Sequence, residues 1–359
     1  MKRIAELDGL RGVAALIVVV SHFFGEVPHG NRFLTFGWLG VDVFFVLSGF
    51  LIGSIILEQH TQPRFFNTFY MRRVARIVPV YFIVCVATLV LADMLGGHAW
   101  SDHPFSPVVY AVFGSNITMS IWGGGGEWLR PAWTLAVEEQ FYLLLPLLIV
   151  LTPRRLLLPV LIALWVSATI FRAAICDSQP LAAFSLLPGR MDLLLGGVIT
   201  AYVNRRFDVS RYLVAIRAIP PVAMVLLVSA VLLSPYRFFI VFSPTFASIG
   251  VACFLLAIVN GAPEGLRFRS PALRYFGRIS YALYLVHQPV SGVLHGILLN
   301  GTPDTGTPLQ IAVTLLSALV SIGIASASWT WLEAPILERA HAYHAALTQR
   351  GLMPGRRVA

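Results

Sequence analysis

Apolar residues in this chain come in long unbroken runs, not in the alternating or every-third-residue stripes of a half-buried strand or a surface helix. A helix crossing about 30 Å of hydrocarbon needs about 20 mostly apolar residues. Ten runs approach that length: 7–24, 38–57, 77–95, 132–151, 156–172, 187–203, 213–233, 238–259, 279–299 and 310–332. The pattern predicts an all-α polytopic membrane bundle of about ten transmembrane helices. An eleventh run, 106–121, is shorter, contains Gly114 and Asn116, and leads into Gly123–Gly126. It is expected to stay on the outer side, as a surface or re-entrant segment.

Charge placement decides that question. With the N-terminus inside and ten crossings, only Arg32, Arg130, Arg172, Arg190 and Arg237 fall outside, and every other basic residue falls on the cytoplasmic side. That asymmetry satisfies the positive-inside rule, and an eleventh crossing would reverse it for every later loop. Both termini are therefore expected in the cytoplasm. The loops are short, the longest being about 96–131, so residues 1–339 read as one integral membrane domain and 340–359 as a basic, frayed cytoplasmic tail. The start of the chain is charged and then apolar, yet Arg11 interrupts the run and no small-residue cleavage signal follows Val20, so the first span is expected to be retained.

Composition narrows the class. Hydrophobic residues make up 57% and charged residues 12% of the 359 positions, against about 25% charged in soluble domains. A mean hydropathy of +0.77 excludes a water-soluble reading. The net charge of +9 does not point to nucleic acid, because the arginines are clustered between apolar runs. Cys85, Cys176 and Cys253 are isolated and supply neither a disulfide framework nor a zinc site. No metal is expected.

Ionisable residues inside the spans carry the functional information, since each costs several kcal/mol in lipid and normally faces the bundle interior. Arg11 and His22 lie eleven positions apart in LDGLRGVAALIVVVSHF. At about 100° per residue they share one helix face, about 16 Å apart along the axis. Alone, His22 is equally an interfacial histidine bonded to a carbonyl, and Arg11 a topological arginine. In GVDVFFVLSGFLIG, Asp42 near the outer end requires a partner or water, whereas Ser48 and Gly49 suit close helix packing.

Arg72, Arg73 and Arg76 lead into the third span, with Arg73 and Arg76 on one face. They could grip phosphates bidentately or simply meet anionic lipid. The fourth span, WTLAVEEQFYLLLPLL, places Glu138 and Glu139 in its outer half, at a depth similar to His22. A carboxylate on one imidazole nitrogen would fix the tautomer and leave the other nitrogen as a base. An ion pair between Glu138 and Arg190 is the competing reading. Arg190 and Asp192, at the mouth of the sixth span, line an acceptor cleft or cap the helix. His287, with Tyr281 and Tyr284 on neighbouring turns, suits a channel wall or a satisfied bundle histidine.

These blocks, together with FYMRRVARIVPVY and SYALYLVHQP, make the sequence similar nearly end to end to the membrane-bound acyltransferase 3 family, whose bacterial members acylate sugars. The family's Arg-x10-His pattern falls on Arg11 and His22, its Arg-x-x-Arg on Arg73 and Arg76, and its glutamate five residues after tryptophan on Glu138. The resemblance implies a bacterial cytoplasmic-membrane enzyme taking acyl-CoA, foremost acetyl-CoA, from the cytoplasm. Its acceptor would be a glycan or lipid-linked sugar on the outer side.

His22 and Glu138 would be catalytic in that setting, with Arg11, Arg72, Arg73 and Arg76 on the donor and Asp42, Arg190, Asp192 and His287 near the acceptor. Direct transfer and a transient acyl-histidine both remain open. No oxyanion donor is assigned, Ser48 and Tyr142 being the candidates. Some relatives add an extracytoplasmic hydrolase-like domain, for which this chain is too short. Transfer is then expected to finish within the membrane domain or on another protein. Membrane lipids are its surroundings and nucleic acid is not a partner. The rival class is a transporter of a glycan, lipid or ion using the same His, Glu and Arg residues, although no inverted repeat supports it. A scaffold or sensor explains the topology but not the buried charges.

Overall fold

Ten helices long and apolar enough to cross a membrane form from these runs, and no strand occurs among the described residues. They are α1 (Ala5–Phe24), α2 (Gly37–Gln59), α3 (Phe65–Met94), α4 (Ala132–Leu151), α5 (Leu157–Ile175), α6 (Leu187–Arg206), α7 (Leu213–Leu233), α8 (Tyr236–Val259), α9 (Pro271–Leu299) and α10 (Pro308–Ser328). The computed structural model describes residues 4–233 and 236–349. Lys2, Arg3, Arg350, Arg356 and Arg357, which the sequence assigns to the cytoplasmic side, lie outside the described residues, as does the 350–359 part of the expected tail.

Two helices begin well before their apolar runs. α3 starts at Phe65 and α9 at Pro271, because their first turns are helical but carry arginines that a hydropathy window rejects. Arg72, Arg73 and Arg76 therefore stand on a helix, not on a loop. The 106–121 run forms two short helices, Pro107–Ala111 and Ser115–Trp122, neither long enough to span. Beyond α10, a π-helical turn over Trp329–Glu333 leads into a helix over Ala334–Gln349, which takes in the first half of the expected tail.

Small residues set the helix contacts, as expected where lipid removes the usual hydrophobic drive between helices. α1 packs along α9, and α2 along α6. A Cβ on Gly277 of α9 would overlap the Asp8 carbonyl of α1, and one on Gly49 of α2 would overlap the Leu194 carbonyl of α6. Gly277→Val should therefore lower the thermal unfolding midpoint of the detergent-solubilised protein and its activity together. Gly323→Val, at a position whose Cβ meets nothing within 4 Å, should leave both unchanged. Equal behaviour of the two variants would contradict the packing argument.

Candidate active site

Three cavities lie in series through the bundle. The first, about 570 Å³, opens at the arginine-rich end and is bordered by Arg11, Arg72, Arg73, Arg76, Arg278 and Tyr281. A waist of about 60 Å³ follows, between Arg11, Ser48, Glu138, Tyr281 and Tyr284. The third, about 350 Å³, is bordered by His22, Glu26, Asp42, Arg130, Trp133 and Tyr284. Arg11 and Tyr281 border both the first and second cavities, and Val41 and Tyr284 both the second and third. The Arg11–His22 stripe of α1 thus runs the length of the row, as eleven residues of helix require. Ile4, just before α1, and Leu337, in the helix that follows the π turn, border the same first cavity.

The arginine-rich cavity is mixed in charge. Glu333, delivered by the π-helical turn, is 7% exposed and accepts a hydrogen bond from Ser328 Oγ at 3.1 Å. Single π turns of this kind recur at functional sites because they re-aim one side chain without ending the helix. Four arginines from α1 and α3 border this cavity together with the carboxylate residues Asp8, Glu58, Glu333 and Glu338.

His22 does not meet Glu138. Its Nδ1 lies 2.6 Å from His287 Nε2, the two rings nearly parallel at 7°. His287 Nδ1 is 3.1 Å from the Leu283 carbonyl oxygen. A carbonyl only accepts, so His287 Nδ1 carries the hydrogen and its Nε2 accepts. His22 Nδ1 is then the donor between the rings, and His22 Nε2 is left bare. The carboxylate expected on the second imidazole nitrogen is replaced by a second imidazole. The reason is packing: α9 lies directly along α1, while Glu138 on α4 faces the waist, beside Ser48 and Tyr142 and near the Arg11 and Arg76 charges.

The remaining predicted residues divide in two. Asp42 accepts from Arg190 Nη1 at 3.2 Å, and its Oδ2 is buried without a hydrogen-bond partner among the described residues. Arg190 is held by the Phe184 carbonyl at 2.7 Å and stacks on the Phe184 ring at 4.1 Å. Both border the third cavity, and the alternative Glu138–Arg190 ion pair does not form. Asp192 lies behind that wall, fully buried, and receives Arg172 Nη1 at 3.0 Å and Nη2 at 2.7 Å.

Sequence reading missed three residues. Arg172, counted only as an outer arginine, is 1% exposed and ties α5 to α6 and α8. Arg130, at the entry to α4, is ion-paired to Glu127 and borders the cavity that holds His22. Burial draws its guanidinium below the usual arginine range, while the Glu26 and Asp102 carboxylates oppose that shift. Asp102 fixes this segment by accepting from the Glu127 and Trp128 backbone amides at 2.7 and 3.0 Å. The third is Glu26, whose Oε1 is 3.8 Å from His22 Nε2. Its spacing of four from His22 is the signal that helix geometry offered. No group of three or more His, Cys, Asp or Glu arranged to hold a metal occurs among the described residues.

Comparison with known proteins adds a family context to this geometry. A family model described as an acyltransferase domain matches residues 4–327. The peptidoglycan O-acetyltransferase OatA of Listeria monocytogenes is 26% identical over 93% of this chain and 56% of its own length. The O-acetyltransferase OatA of Staphylococcus aureus is 28% identical over 93% of this chain and 57% of its own length. The chain thus spans about half the length of the curated relatives it matches. No solved structure matches it.

Proposed function

This chain belongs to the acyltransferase 3 family, and on that premise we propose that it transfers an acyl group, acetyl foremost, from cytoplasmic acyl-CoA to a glycan hydroxyl at the outer side of a bacterial cytoplasmic membrane. The observation that carries this reading is the imidazole pair, whose His22 borders the last of a row of cavities that begins among arginines.

Arg11, Arg72, Arg73 and Arg76 hold the nucleotide phosphates, and the waist takes the narrow pantetheine arm. Fixing the donor in this way converts a bimolecular encounter into an oriented one. His22 Nε2, kept bare by the hydrogen bond at Nδ1, takes the proton from the acceptor hydroxyl. The hydroxyl oxygen bonds to the thioester carbon, the carbon–sulfur bond breaks, and the proton passes from Nε2 to the departing sulfur, giving the ester and free CoA. Arg130 supplies N–H donors for the oxygen that becomes negative in the transition state. Asp42 and Arg190 form an ion-paired part of the acceptor cavity wall. Glu138 and Arg11 face the waist together.

The test is acetyl-CoA-dependent ester formation by protein in lipid nanodiscs, with the mass of cell-surface glycans compared in cells carrying active and His22→Ala copies. Unchanged ester content in every glycan pool would overturn the proposal. Arg73→Ala and Arg76→Ala should each raise the KM for acetyl-CoA by about 10-fold or more with a smaller change in kcat, each charge-assisted hydrogen bond being about 1.5–3 kcal/mol. A fall in kcat alone would place these arginines at the reacting atoms and not at the phosphates.

A further inference from the structure

We infer that Glu26 is a catalytic and specificity-determining residue that makes the outer cavity select acceptors bearing two adjacent hydrogen-bond donors: the reacting hydroxyl and a hydroxyl or amide N–H on the neighbouring carbon. The inference rests on the reading of His22 as the base.

Glu26 follows the end of α1, where the Gly25 and Glu26 amides both donate to the Ser21 carbonyl at 2.8 Å. Its Oε1 accepts from Ser21 Oγ at 2.9 Å and stands 3.8 Å from His22 Nε2. The carboxylate is thus positioned by the same helix end that carries the base. Both groups border the outer cavity, with side chains 33% and 16% exposed. The hydrogen-bond chain from Leu283 through His287 leaves Nε2 as an acceptor, and a carboxylate oxygen is an acceptor as well.

Two acceptors 3.8 Å apart jointly recognise a pair of donors. Adjacent oxygens on a sugar ring are spaced by roughly one hydrogen-bond length, about 2.8 Å, so the two bonds converge on them without distortion. The hydroxyl on Nε2 is the one that reacts. Its neighbour, held on Glu26, orients the ring and remains unchanged. When the proton moves to Nε2, His22 becomes an imidazolium within ion-pair distance of Glu26, so the same carboxylate stabilises the charge that forms. The cavity volume of about 350 Å³ is at the small end of ligand pockets, which suits recognition of a single ring at the reacting position. A hydroxyl lacking such a neighbour leaves Glu26 without its donor and is disfavoured.

The test uses the full chain in nanodiscs with acetyl-CoA and two small probes, 1,2-propanediol and 1-propanol, reading both CoA release and ester mass. The wild-type protein is expected to favour the diol by about 10- to 100-fold in kcat/KM, the scale of one hydrogen bond to a charged group. Glu26→Ala should bring that ratio close to one, and Glu26→Gln should give an intermediate ratio, with acetyl-CoA binding retained in both as the control for folding. A ratio near one in the wild-type protein, or an unchanged ratio in Glu26→Ala, overturns the role of Glu26 while His22-dependent release of CoA leaves the acyl-transfer reading standing. Absence of ester from both probes and from a chitooligosaccharide overturns that reading and this inference with it.

Discussion

His22→Ala is expected to lower ester formation by about 10³-fold, within the range that a positioned general base contributes, while leaving acetyl-CoA binding in place. The retained binding follows from geometry, because the arginine-rich cavity lies at the far end of α1 from His22. His287 separates a positioning role from simple packing. His287→Ala removes the acceptor from His22 Nδ1 and frees the ring to adopt the other tautomer, so kcat should fall by about 10²-fold with little change in KM. His287→Gln presents an amide oxygen at a similar reach and should restore part of that loss. Full activity in His287→Ala would show that the bond between the two rings is not used. Incubation with labelled acetyl-CoA in the absence of acceptor then separates the two chemical routes. Direct transfer leaves the protein unlabelled, whereas an acyl-histidine gives label that His22→Ala abolishes.

The largest effect on stability is expected at Arg172. Its Nε donates to the Val241 carbonyl at 2.9 Å, its Nη1 to the Gly189 carbonyl at 2.6 Å, and its Nη2 to Thr245 Oγ1 at 2.7 Å, in addition to the fork on Asp192. Arg172→Met leaves Asp192 buried and uncompensated, a loss of about 3–5 kcal/mol. It should appear as a strongly lowered unfolding midpoint or as failure to accumulate in the membrane. Adding Asp192→Leu to Arg172→Met removes the orphaned charge as well and should recover much of the loss, since apolar replacement of a complete buried pair is often close to neutral. If the double variant is no better than Arg172→Met, the carbonyl and hydroxyl bonds of Arg172 outweigh the ion pair.

The Arg11–His22 stripe was readable because it lies on one helix, where a rise and a rotation per residue convert spacing into direction. The same is true of Arg73 and Arg76. Partners on separate helices were not readable in this way. Depth counted along the apolar runs suggested Glu138 beside His22, yet Glu138 lies at the waist with Arg11 and Ser48, one cavity away from His22. The glycines that seat α9 on α1 bring His287 there instead. Arg172 looked like one more outer arginine, because a charge count assigns sides and is silent on burial. Glu26 is within reach of the i, i+4 rule, but it falls past the end of the apolar run, where the cost of burying a charge in lipid gives no signal.

From the sequence alone came the ten spans and the failure of 106–121 to form an eleventh, because the bilayer imposes a length on every span and a high cost on every buried charge. Those constraints act on one segment at a time, so one chain of letters is enough to read them. Which imidazole meets which partner, where α3 begins to carry its arginines and which aspartate borders the cavity depended on contacts between helices distant in the chain. Backbone approach at small residues sets those contacts, and a shift of one helical turn or a rotation of 100° would have assembled a different site from the same residues.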